Sequence, residues 1–148
     1  MTWLAPDFDY PKRLDLATGH HLRPIRAEDA DIDLPAVMGS RDSLCEIYGE
    51  QWGWPPESMT VAADADDLQH HADEMEAREG FNFAVLNEDE SELFGCVYIY
   101  PPSADGDADV SWWVVDDARS TELESSLDSG LPSWFADTWG FRSVRRNP

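Results

Sequence analysis

Chemistry is most concentrated where an apolar run, Val110–Val115, gives way through Asp116-Asp117-Ala118 to Arg119-Ser120-Thr121-Glu122-Leu123-Glu124, with a helical pattern opening near Ser120. A strand that runs straight into a helix N-terminus builds an anion site, because the first helical turn leaves backbone N–H groups unpaired. Those donors do not depend on side-chain identity. Arg119 is the single nearby cation, set against Asp116, Asp117, Glu122 and Glu124. A carboxylate about 5 Å from a bound unit charge costs roughly 3 kcal/mol at an effective dielectric of 20. The same glutamates also have a plain structural use, since acids in a helix's first turn stabilise it by about 0.3–1 kcal/mol each.

Other reactive types are scattered. Tyr98 and Tyr100 share one face of the run Leu93–Tyr100, where they serve as an acid, a pocket wall or half-buried sheet aromatics. Trp52 and Trp54, in Gln51-Trp52-Gly53-Trp54-Pro55-Pro56, either wall a pocket or plug a sheet edge. His20-His21 and His70-His71 suggest no metal site, because adjacent residues point apart and no carboxylate spacing accompanies them. Cys45 and Cys96 lie in apolar-patterned segments and read as buried free thiols. There is no Gly-x-Ser-x-Gly elbow for a serine nucleophile.

The elements that must position these groups follow from periodicity. Residues 1–19 read as an irregular arm punctuated by Pro6, Pro11 and Gly19, with Trp3 and Phe8 tacking it to a body of residues 20–148. His20–Arg26 reads as a short strand, edge or interrupted because of Pro24. Acids at Ala27–Asp33 mark a helix start, and Leu34, Val37, Met38, Leu44 and Ile47 continue as one helix or two around Gly39-Ser40. Tyr48–Met59 reads as an aromatic loop, and a second helix runs from about Ala63 to Arg78, stopped by Gly80. Phe81–Leu86 and Leu93–Tyr100 form a hairpin, and Asp109–Val115 is the next strand. Ser120–Trp139 is helical, with a kink expected at Gly130–Pro132, and Phe141–Arg146 is a last strand.

The chain has 148 residues, 42% of them apolar, which suits one domain with a real core. Ten basic residues against 31 acidic ones give a formal charge of −21, and Lys12 is the sole lysine. Carboxylates spread along the chain with almost no lysine suggest adaptation to a salt-rich, halophilic cytoplasm, where self-repulsion is screened. No basic stripe exists to neutralise phosphates, so nucleic acid is not an expected partner. No apolar run is long enough to span a membrane, and no signal pattern opens the chain, so a cytoplasmic location is expected.

The order strand, helix, helix, strand, strand, strand, helix, strand resembles that of the GCN5-related N-acetyltransferases (GNAT). So do Leu22-Arg23-Pro24 followed by Ala27-Glu28-Asp29-Ala30-Asp31, and Phe94-Gly95-Cys96-Val97-Tyr98-Ile99. The likeness spans about residues 20–146. The family's turn reads Arg/Gln-x-x-Gly-x-Gly/Ala. In that register this chain reads Arg119 to Glu124, with glutamate at both small positions, where glycine would permit close approach of a phosphate. The resemblance implies an α/β (α+β) acyl-CoA N-acyltransferase-like fold, with a mixed, mostly antiparallel sheet and helices on both faces. It implies acetyl-CoA as cofactor, its pantetheine arm against Trp113, Val114 and Val115. The pyrophosphate would lie on Arg119, Ser120, Thr121, Glu122, Leu123 and Glu124.

It places Asp109 and Ser111 where family members keep a base or hold a water, with Tyr98 as an acid. It sets Trp52, Trp54, Glu79 and Tyr100 around the acceptor. The family's usual tyrosine acid belongs to a segment beyond the last strand and is not carried over. Family chains usually continue past the point where this sequence ends, so a bare sheet edge covered in a homodimer is a further expectation. The implied reaction is direct acyl transfer from an acyl-CoA to a small amine or a protein N-terminus. The alternative is a degenerate module that binds or dimerises without acetyl-CoA turnover.

Overall fold

The computed structural model describes residues 3–148; Met1 and Thr2 of the arm lie outside the described residues. Six strands form one sheet in sequential order: β1 (Leu14–Asp15), β2 (His21–Pro24), β3 (Phe81–Leu86), β4 (Leu93–Tyr100), β5 (Ala108–Val114) and β6 (Val144–Arg146). All neighbouring pairs are antiparallel except β5 and β6, which run parallel. Four helices complete the fold: α1 (Ala30–Gly39), α2 (Arg41–Trp52), α3 (Val61–Glu76) and α4 (Glu122–Asp137).

Every residue of β3 and of β5 is buried, so both faces of the central sheet are covered. Strand alternation splits them. Phe83 and Trp112 pack on Trp134 and Phe135 of α4. Val37 of α1, Tyr48 of α2 and Leu68 of α3 instead meet Asn82, Cys96, Tyr98 and Ser111 on the opposite face. A fully buried Leu or Phe contributes about 1.5–3 kcal/mol, and Phe83, Leu127, Leu131 and Phe135 supply such contacts under α4.

Local chemistry sets the helix ends. Thr60 Oγ1 accepts from the Ala63 amide at 3.1 Å and starts α3. Gly53, at φ +62°, ends α2. The bonds of α1 close on Ser40, whose Oγ accepts from the Asp116 amide at 2.9 Å and ties the helix pair to the end of β5.

Several expectations are corrected. Leu14–Asp15, in the arm expected to be irregular, pairs with Leu22 and His21, so β2 has neighbours on both sides and is not an edge. The expected tacking of the arm is present, with Trp3 stacked on Phe141 at 6.2 Å and Phe8 against Trp139 at 5.9 Å. The segment Tyr48–Trp52, expected as loop, is the last turn of α2, because Tyr48 is fully buried and its contacts outweigh the weak helix propensity of Gly49. α3 ends at Glu76, and the left-handed residue after it is Arg78, φ +59°. Gly80 serves contact instead, since a Cβ there would lie 2.5 Å from the Tyr100 ring. α4 spans Glu122–Asp137, shorter at both ends than the expected Ser120–Trp139, with Pro132 inside it. No helix among the described residues is long and apolar enough to cross a membrane.

Candidate active site

β5 and β6 pair only at Ala108–Val110 with Val144–Arg146. Beyond Val110 the outer side of β5 has no strand beside it. Backbone groups of alternate residues point to that side. Val110 and Trp112 do so: their carbonyls accept from the Asn147 amide at 2.8 Å and from the Arg146 guanidinium at 3.1 Å. Val114 shares their orientation. Trp113 and Val115 do not: Trp113 pairs with Cys96, and the Val115 amide donates to Phe94 at 2.8 Å. Of the three residues expected along a pantetheine arm, Val114 alone therefore turns its backbone outward; Trp112 does so too, but Arg146 already occupies its carbonyl.

Arg146 does more than cap the Trp112 carbonyl. Its guanidinium lies 3.6 Å over the Trp112 ring, and the indole Nε1 donates to Asp128 at 2.9 Å. The side of β5 where a ligand strand would add is thus lined by a cation.

At the other end of β5 a 3₁₀ turn, Asp116–Ala118, leads to α4. The Arg119 amide donates to the Asp116 carbonyl at 3.2 Å, and the Ser120 amide donates to Glu124 Oε1 at 2.9 Å. Ser120 sits at φ +63°, so the backbone reaches a glycine-like conformation without glycine. The Thr121 hydroxyl donates to the Ala118 carbonyl rather than capping the helix. The first-turn amides of Glu122 and Leu123 precede the first intrahelical acceptor and have no bond within the helix. Leu123 is buried under the sheet; Arg119 and Glu122 are exposed. Glu124 thus reaches back past the start of α4 and occupies one donor that the resemblance assigns to a pyrophosphate.

On the helix-pair side, Tyr48 and Ser111 hydroxyls lie 2.7 Å apart, and Ser111 Oγ also donates to the Pro148 carbonyl at 3.2 Å. Burial pushes the Tyr48 phenol up, against a lowering by the Ser111 bond, so it remains neutral. Tyr98 OH accepts from Trp113 Nε1 at 2.9 Å, and burial pushes it well above the ordinary phenol range. Asp109 accepts from Ser103 and from Asn147 Nδ2 at 3.1 Å. Burial acts to raise Asp109, but these bonds outweigh it and hold the carboxyl below its ordinary value. Asp109 is therefore a weak base and a strong acceptor. It lines a crevice of about 400 Å³ with Gln51, Trp52, Tyr100, Ser103 and Asn147.

A second cavity of about 180 Å³ shares Trp52 and Tyr100 with that crevice and reaches inward past Trp54, Tyr98, Asn82, Asp33, Asp67 and His71. Trp52 stands edge-on to Tyr98 at 5.2 Å and to Tyr100 at 6.1 Å. Trp52 and Trp54 thus wall a real space. Glu79 is exposed after α3 and lines neither cavity, because the chain turns at Arg78 before reaching β3. Asp33, Tyr48, Asn82, Trp112 and Arg146 were not singled out from sequence. Asn82 carried a usable clue, being the polar residue of a strand otherwise apolar on both faces. No group of three or more potential metal ligands occurs among the described residues.

No protein-family model and no curated protein matches the chain by sequence. Solved structures do match in shape. The ribosomal-protein-S5-alanine acetyltransferase of Vibrio fischeri superposes with a TM-score of 0.68 at 14% identity, over 90% of this chain and 72% of that one. RimL, a ribosomal L7/L12 alpha-N-protein acetyltransferase, gives 0.70 at 12% identity over 90% and 69%. Mycobacterium smegmatis RimJ, in complex with CoA-disulfide, gives 0.64 at 14% identity over 89% and 64%. At such identities the likeness speaks for architecture alone. The curled mixed sheet with α1–α3 on one face and α4 on the other is the fold of the GCN5-related N-acetyltransferases.

Proposed function

We propose that the chain is an acyl-CoA-dependent N-acyltransferase acting on an amine by direct transfer. One observation carries this reading: the unpaired outer side of β5 at Val114 leads directly to the α4 N-terminus, where the Glu122 and Leu123 amides have no helical acceptor. The outward backbone of Val114 would hold an extended pantetheine as an added strand, and the free Glu122 and Leu123 amides would hold its diphosphate. CoA complexes of fold neighbours such as RimJ support the same class of ligand.

In the reaction the acceptor nitrogen forms a bond to the thioester carbonyl carbon and the carbon–sulfur bond breaks. The nitrogen's proton leaves through water held at Asp109, and the departing thiolate takes a proton. The neutral Tyr48 phenol, relayed through the Ser111 hydroxyl, is the proton donor that the geometry favours. Calorimetric titration with acetyl-CoA in molar KCl tests the reading. Saturable heat with a matching rise in melting temperature is expected; neither at millimolar ligand removes the cofactor role.

The bond from the Ser120 amide to Glu124 favours a second reading, a module that has lost acetyl-CoA turnover. The two readings differ over Glu122→Gly with Glu124→Ala. In a working transferase the double variant binds acetyl-CoA more tightly than the natural chain, since a carboxylate near a phosphate opposes binding. Binding seen in the double variant and absent in the natural chain would establish the degenerate module.

A further inference from the structure

Where β6 runs out at Arg146, the chain stays in the groove beside β5. The Asn147 amide donates to the Val110 carbonyl at 2.8 Å, and the Arg146 guanidinium donates to the Trp112 carbonyl at 3.1 Å. The Pro148 carbonyl accepts from Ser111 Oγ at 3.2 Å, and Ser111 in turn bonds Tyr48. Asn147 Nδ2 donates to Asp109 at 3.1 Å, and Asn147 forms part of the crevice wall there. Three consecutive residues therefore engage Ser111, Asp109 and two outward carbonyls of β5. Their own hold is slight. Arg146 is exposed, and Asn147 and Pro148 are half-buried. The ion pair from Arg146 to Asp128, at 3.9 Å between half-exposed side chains, adds little. A segment held by a few hydrogen bonds and little apolar burial opens more readily than the strands beneath it.

An arm that leaves the first turn of α4 and runs back beside β5 passes Val114 first. It meets Trp112 two residues on, about 7 Å further. There the Arg146 guanidinium already fills the carbonyl. We infer that Arg146–Pro148 is a displaceable strap that closes the inner half of this groove, and that acyl-CoA binds by taking its place beside β5. This inference rests on the acyl-CoA reading above. The pantetheine amides replace the donors that Arg146 and Asn147 withdraw. Burial raises the Asp109 carboxyl, and donors on Ser103 and Asn147 bring it low; departure of the strap removes the second of these donors. Cofactor entry thereby makes Asp109 a better proton acceptor.

Asn147→Pro loosens the strap, because proline has no N–H for Val110 and no side-chain donor for Asp109. Arg146→Lys is the second variant. It keeps the positive charge and loses the planar fork that reaches Trp112 and stacks on its ring. In calorimetric titration of the full chain with acetyl-CoA, each variant should bind about three- to tenfold more tightly than the natural chain, since a seated strap lowers the binding-competent fraction. Amide exchange of the natural chain, followed by NMR, reads the strap directly and does not depend on either variant folding. With acetyl-CoA bound, the Asn147 amide should exchange faster, while the Val114 and Leu123 amides, covered by the cofactor, exchange more slowly. Equal affinity in all three chains, or an Asn147 amide that exchanges no faster, overturns the strap and leaves the transferase reading standing. Acetyl-CoA that binds none of the three chains overturns both.

Discussion

Asp33 is buried against Asp64, with Asp67 and Asp29 near enough to oppose its charge. Burial, then the bond to Asp64, raises its carboxyl far above the ordinary range, and Asp64 is raised as well, chiefly by burial. The sign of the linkage follows. A carboxyl whose folded value is raised contributes stability that is fully present below the unfolded value. That contribution is lost as pH rises toward the folded value, at about 1.4 kcal/mol per unit while the unfolded chain alone is ionised. Asp33→Asn removes that titration and keeps the shape. It should raise stability at pH 7 by at least about 1 kcal/mol and flatten the decline above the acid range. Urea unfolding of both forms across pH would show it; parallel curves would mean that the two carboxyls do not share a proton. Glu90 works with the opposite sign, since bonds from His21 and Arg23 lower it and its contribution is lost as pH falls. The acid-side loss should therefore persist in Asp33→Asn.

At the scale of elements, β4 has no room for a side chain at Gly95, where an added Cβ would clash with the Trp113 carbonyl oxygen. Backbone cannot yield as a flexible side chain can. Gly95→Ala should cost about 2–3 kcal/mol, as overpacking does, read as a lower urea midpoint at unchanged slope. A midpoint within error of the natural chain would show that the strands tolerate separation. Much at this scale was legible beforehand. β3 and β4 have the bounds that period-two alternation gives, and β5 is displaced by one residue. The reading failed where tertiary contact overrides local preference. Gly49 and Trp52 look like loop, yet burial of Tyr48 extends α2 through them. Which backbone groups of β5 face outward depends on register with β4, so of Trp113, Val114 and Val115 only Val114 qualifies. Asp33 meets Asp64, and lines one cavity with Asn82, only because α1 packs on α3 and β4 while α3 packs on β3, and no spacing in the chain announces that.

Across the whole molecule, the charge of −21 leaves most carboxylates without a cation. Among the described residues, Arg23 is committed to Asp29 and Glu90, and Arg146 lies beside Trp112 and Asp128. The remaining repulsion acts on the folded chain more than on the expanded one, because compaction brings the charges together. Salt should therefore stabilise the fold by screening, and most of the gain should come early. The Debye length shrinks from about 30 Å at 0.01 M to about 10 Å at 0.1 M, and only to about 3 Å at 1 M. Stabilisation through stronger apolar burial would instead grow steadily into the molar range and would follow the excluded character of the anion. Melting curves in KCl, compared with sucrose at fixed low salt, separate the two. We expect a steep rise in midpoint at low KCl, a plateau near molar salt and little response to sucrose alone. A midpoint indifferent to KCl would show that the acidic surface is well solvated without screening. It would also remove the physical ground for reading the composition as an adaptation to salt.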